Sequence, residues 1–129
     1  MQRTFYSTAC VLCGLAVVLG AFGAHTLKEK LTPELLASFE TGVRYQFYHG
    51  LALLMIAFFS KDVKNKFVQW AGISFIAGVI LFSVSIYLLS IRDIIGMTNY
   101  KWLGPVTPLG GLCFISGWIF LFIGLRKRN

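Results

Sequence analysis

Four long apolar stretches occupy most of this 129-residue chain, and they decide its solvent before any single residue is considered. A hydrocarbon core about 30 Å thick is crossed by about 20 helical residues. The uncharged run from Thr4 to Ala24 covers 21 residues, and that from Phe67 to Ile91 covers 25. Two further stretches, from about Thr41 to Ser60 and from about Pro108 to Leu125, complete the set. Charged residues make up 13% of the chain, against about 25% in an average soluble domain. So few charges cannot wet a globular surface, and lipid is the expected solvent. The expected fold is all-α: an integral membrane antiparallel four-transmembrane-helix bundle, with residues 1–129 as one domain. The remaining segments are loops, too short to hold a soluble catalytic domain.

The first span, about Phe5–Ala24, follows Met1-Gln2-Arg3 and ends in small residues, as a secretory signal does. Secretory apolar regions run to about 15 residues, so a run of 21 predicts an uncleaved spanning helix. Thr32-Pro33 and Thr107-Pro108 each read as a helix start, with threonine as N-cap and proline in the first helical position. Arg3, Lys61, Lys64, Lys66, Arg126, Lys127 and Arg128 fall on one side of the membrane. Lys28, Lys30, Arg44, Arg92 and Lys101 fall on the other. Basic residues concentrate on the cytoplasmic side, which predicts a multi-pass protein of the cell membrane with both termini cytoplasmic. The net charge of +7 lies at helix ends, where it meets lipid headgroups, so no nucleic-acid partner is expected.

Apolar helices gain nothing from one another in lipid by burial alone, so they meet through small residues. Span one has such a face in Ala9, Cys13, Ala16, Gly20, Gly23 and Ala24, with Val11, Leu12, Leu15, Leu19 and Phe22 opposite. Span three has Ala71, Ser74, Gly78 and Ser85; span four has Gly110, Cys113, Gly117 and Gly124. These stripes predict tight packing, and they also suit a homo-oligomer or a larger membrane complex.

Span two is two-faced. Ser38, Thr41, Gly42, Tyr45, His49 and Ala52 fall on one side of its helical wheel, and Leu36, Val43, Phe47, Leu51, Leu54 and Phe58 on the other. The polar side is expected to point into the bundle. His49 lies eleven residues before Ser60, about 16 Å into a core about 30 Å thick. An ionisable group at that depth is costly and marks a functional candidate. The alternative is a neutral histidine bonded to a serine, a tyrosine or a backbone carbonyl. Arg44 follows Glu40 by four residues, a favourable order for a helical ion pair, and is expected to reach toward the outer headgroups. His25 and Arg92-Asp93 lie at the outer interface, where they either make local bonds or join Tyr45 and His49 around an outer pocket.

Other chemistry is poorly supported. Cys10 and Cys13 form C-x-x-C inside a span and read as packing residues, and Cys113 lies at a different depth. Two histidines do not make a structural zinc site, and their difference in depth argues against shared haem ligation. No paired carboxylates, phosphate-binding loop, dinucleotide fingerprint or Ser-His-Asp set is present. No cofactor or metal is expected. Gly104-Pro105-Val106-Thr107-Pro108-Leu109-Gly110-Gly111 reads as a re-entry turn whose helix amides could hold an anion.

The ordered set Gly20-Ala21-Phe22-Gly23-Ala24-His25, Tyr45-Gln46-Phe47-Tyr48-His49-Gly50-Leu51-Ala52-Leu53, Phe82-Ser83-Val84-Ser85-Ile86-Tyr87, the Gly104–Gly111 segment and Gly117-Trp118 runs through nearly the whole chain. With it, the chain resembles the YgdD/YwdK-like family of small bacterial inner-membrane proteins, a domain-of-unknown-function family with mitochondrial relatives. The resemblance implies a four-helix protein of the cell membrane and no particular activity. Its motifs include His25, Tyr45 and His49.

The leading expectation is a non-enzymatic accessory, assembly or self-associating membrane subunit. The alternative is a binder or carrier of a lipid-like, quinone-like or anionic ligand. In that case His25, Tyr45 and His49 would bond its polar group and Arg92 would attract its charge. A membrane enzyme with His49 as general base is a third reading. A base needs a positioned partner, and Tyr45 is the only one that spacing offers.

Overall fold

The computed structural model describes residues 2–59 and 65–126. Of the basic residues that set the expected orientation, Lys61, Lys64, Lys127 and Arg128 lie outside the described residues, as do Met1 and Ser60. The described chain is all-helical: α1 (Gln2–His25), α2 (Pro33–Phe59), α3 (Lys66–Gly78), a π-helical segment (Val79–Val84), α4 (Ser85–Ile91) and α5 (Val106–Arg126). Short 3-10 turns at Leu27–Glu29 and Lys101–Leu103 complete it. From α3 through the π segment to α4 the backbone stays helical, so the elements build four rods. Three rods are long and apolar enough to cross a membrane: Gln2–Glu29, Lys66–Ile91 and Lys101–Arg126. The rod α2 is not among them, because Glu40, Arg44, Gln46 and His49 interrupt its apolar run.

The helix starts obey local chemistry. Thr32 Oγ1 accepts from the amide of Leu35, and Pro33 opens α2 as expected. Glu34 follows in the exposed first turn; its own amide and the Thr32 hydroxyl hold its carboxylate below the usual range. Asn65 caps α3 by accepting from the amide of Phe67, and its Nδ2 donates to the Gly124 carbonyl near the end of α5. The expected start of α5 at Thr107-Pro108 is corrected: the helix begins at Val106. Pro108 then sits in the first turn, where its missing N–H has no intrahelical partner to lose.

Neighbouring rods run antiparallel, as their register shows. On α1 and α2, Gly23 faces Phe39, Gly20 faces Val43, and Cys13 lies over Gly50. On α5 and the third rod, Gly124 faces Val68, Gly117 faces Phe75, and Gly110 lies against the backbone of Leu81 and Phe82. The ring of Phe5 covers Gly72, bringing the start of α1 beside α3. Both ends of the described chain therefore lie at one end of the bundle. The small-residue faces meet inside the chain, while Val11, Leu15, Val18, Leu112, Ile115 and Phe122 point outward. In detail the expected face of α1 shifts: Ala24 is exposed, and Leu12 is half-buried beside Gly50.

Candidate functional site

The inward face of α2 is rotated from the one expected. Its buried residues include Phe39, Gly42, Gln46, His49, Gly50, Leu53, Ile56 and Ala57, whereas Ser38 is exposed and Tyr45 is 40% exposed. A helical wheel places residues by angle alone, and the stripe drawn through Ser38, Thr41, Tyr45 and His49 left out Gln46. The packed stripe instead follows the small and shape-compatible residues that let α1 and the third rod approach.

His49 is 5% exposed and fully engaged. Its Nδ1 lies 2.8 Å from the Tyr45 carbonyl, and Trp118 Nε1 donates to its Nε2 at 3.2 Å. An indole nitrogen only donates, so Nε2 is the acceptor and the ring proton sits on Nδ1, where it donates to Tyr45. The imidazole stacks on Phe114 at a centroid distance of 3.6 Å and an angle of 11°, with the edge of Phe75 at 5.1 Å. One side of the Phe114 ring lies against Gly78, where a Cβ would collide with it. Glycine at position 78 therefore seats Phe114, and Phe114 seats His49.

A second polar link was missed by sequence reasoning. Gln46 is 3% exposed; its Nε2 donates to the Leu12 carbonyl of α1 at 2.8 Å, and its Oε1 accepts from the Tyr87 hydroxyl of α4 at 2.9 Å. One amide thus ties three elements. Close by, Ser83 in the π segment donates to the Gly42 carbonyl at 2.8 Å. The available signal was an amide within an apolar stretch, three residues before His49 on the same helical face.

Of the four residues expected to share a ligand, Tyr45 and His49 come together, their rings stacked with centroids 6.0 Å apart, whereas His25 and Arg92 do not join them. His25 is exposed at the end of α1. On the α1–α2 register it lies near the level of Ser38, eleven positions from His49, or about 17 Å along the helix. Tyr45 lies beside Phe82 at 4.8 Å, on the outer flank of the histidine. Arg92 is at the end of α4, where Nη1 donates to the Leu89 carbonyl at 2.7 Å and Nε lies 3.8 Å from Asp93. The expected Glu40–Arg44 pair does not form; Arg44 donates to the Thr41 hydroxyl at 3.1 Å. Cys13 packs over Gly50, while Cys10 is exposed. Among the described residues, no group of three or more His, Cys, Asp or Glu side chains could hold a metal ion.

Residues 19–111 match the family model described as "Protein of unknown function (DUF423)". The chain is similar to the UPF0382 membrane protein YwdK of Bacillus subtilis, 42% identical over 127 residues and covering 98% of each chain. It is also similar to the UPF0382 membrane protein SH2409 of Staphylococcus haemolyticus, 42% identical over 126 residues and again 98% of each chain. The UPF0382 membrane protein SAB0533 of Staphylococcus aureus is 45% identical over 113 residues, 88% of this chain and 87% of that one. No solved structure matches the chain.

Proposed function

Because the chain belongs to the DUF423 family of membrane proteins, whose function is not assigned, we propose a role exercised by contact and not by chemistry. In this reading it is a non-enzymatic accessory subunit of the cell membrane, spanning it four times with both termini cytoplasmic. The observation that carries the reading is the closure of His49. A general base needs a lone pair open to its substrate, and the Nε2 lone pair of this histidine is occupied by Trp118.

The fourth span has physical support. The 27 residues of α2 extend about 40 Å, more than a bilayer core. Hydropathy scores each residue as if it faced lipid, but Gln46 and His49 face other helices and bring their own hydrogen-bond partners. Arg44 is near the outer end and can reach headgroups.

The small-residue faces are consumed within the chain, which leaves a belt of large apolar side chains for lipid or for a larger membrane protein. Extraction of the tagged protein in native-membrane nanodiscs, followed by mass analysis, tests the role. The expected result is a particle containing a second, larger polypeptide. A uniform particle with this chain alone would count against it. Reporter fusions at the C-terminus test the orientation, and a signal from the outer side would refute it.

A further inference from the structure

At the bundle end where α2 and α5 begin and α4 finishes, the described residues line a cavity of about 440 Å³. Leu35, Ile86 and Leu89 give it apolar walls, and Ser38, Thr41, Ser90, Arg92 and Thr107 bring polar atoms to it. Most of these hydroxyls are committed. Ser38 donates to the Glu34 carbonyl at 3.0 Å, Thr41 to the Ala37 carbonyl at 3.0 Å, and Thr107 shares a 2.7 Å bond with Ser85.

Ser90 differs. It is 1% exposed, and its Oγ is the buried side-chain polar atom that has no hydrogen-bond partner among the described residues. Ser38 and Ser85 bond back to a carbonyl one turn earlier, and Ser83 donates across to the Gly42 carbonyl. Ser90 therefore presents an uncommitted donor to the cavity wall.

Two positive features share the cavity. Arg92 is held by the Leu89 carbonyl and by the Tyr100 ring, 5.0 Å from its guanidinium carbon. Asp93 is 74% exposed and 3.8 Å away, so it neutralises Arg92 only weakly. The first turn of α5, a helix of 21 residues, adds amides without intrahelical partners and the positive end of its dipole, and Thr107 of that turn lines the cavity.

We propose that this cavity binds a phosphate headgroup, with Arg92, the Ser90 hydroxyl and the first-turn amides of α5 donating to its oxygens. A tetrahedral phosphate can accept from donors converging from three elements, and the guanidinium fork suits two of its oxygens. The apolar walls suit the glycerol and upper acyl portion of a phospholipid, although free phosphate presents the same oxygens. The proposal is independent of the accessory role, since it concerns a site distant from His49 and requires no protein partner.

Native mass spectrometry of the full chain in detergent tests it, with phosphatidylglycerol and inorganic phosphate added separately. The expected result is a phosphatidylglycerol adduct weakened roughly 10-fold by Ser90→Ala and at least as much by Arg92→Gln. Arg126→Gln, at the opposite end, should leave it unchanged. Phosphate binding with the same sensitivities would support the site and assign it a soluble ligand. Arg92→Gln could disturb the loop that Arg92 holds, so Ser90→Ala, which breaks no bond, carries the decision. Binding of neither probe, or an adduct indifferent to both substitutions, would overturn the proposal.

Discussion

The indole N–H of Trp118 donates to Nε2 of His49 at 3.2 Å, joining α5 to α2 across 69 residues of sequence. This bond selects the tautomer of the histidine and places the half-exposed Trp118 ring at the bundle surface. It also makes His49 a structural joint, as its stacking on Phe114 does.

Trp118→Phe keeps a ring at the surface and leaves Nε2 without a donor among aromatic neighbours. The expected loss is about 1 kcal/mol, toward the lower range for an unsatisfied buried acceptor because hydrogen bonds within membranes are individually modest. Reversible unfolding in mixed micelles should give a coupling of about 1 kcal/mol between Trp118→Phe and His49→Phe. Strict additivity of the two would show that the bond adds no stability.

Gln46→Leu removes bonds to Leu12 and Tyr87 at once and should cost about 1–3 kcal/mol. The double variant Gln46→Leu with Tyr87→Phe should lose less than the sum, because the orphaned tyrosine hydroxyl is also removed. The same unfolding measurement decides it. A Gln46→Leu protein as stable as the parent would refute the joint described for Gln46.

Two glycines should respond in opposite ways. A Cβ on Gly110 would meet backbone atoms of Leu81 and Phe82, which cannot turn aside, so Gly110→Ala should destabilise by about 1–3 kcal/mol or more. Gly14 has nothing within 4 Å of such a Cβ, so Gly14→Ala should be neutral or stabilise by up to about 1 kcal/mol. Equal effects on melting temperature would contradict the packing of α5 against the π segment.

Glu34 carries a pH signature of the α2 cap. Its depressed pKa means that its contribution to stability is present above the ordinary glutamate range and is lost as pH falls through the lowered value. An NMR titration should place its midpoint below that of an unperturbed glutamate, and Thr32→Val should raise it. An unchanged midpoint in the variant would remove Thr32 from the cap.

Length and hydropathy were enough to locate the first, third and fourth rods, because a lipid-facing helix must be apolar over its whole crossing. The glycine stripes were legible for a related reason. Gly23, Gly117 and Gly124 lie where neighbouring side chains occupy the space a Cβ would need. The polar site was read less well. The expected stripe ran through Tyr45 and left out Gln46, yet Tyr45 flanks the joint and Gln46 closes it. Trp118 read as part of a family motif, since nothing in its neighbours announces a bond to a residue 69 positions away.

The sequence alone therefore determined the solvent, the helical class and the spacing of the contact faces, because these follow from the composition of each segment and its helical repeat. Only the tertiary structure decided which polar groups satisfy one another. Partner choice depends on the rotation and register of packed rods, and a shift of one residue turns a helix by about 100°. That rotation buries Gln46 and His49 and leaves Tyr45 on the flank. It also leaves Ser90 as the uncommitted donor in that cavity.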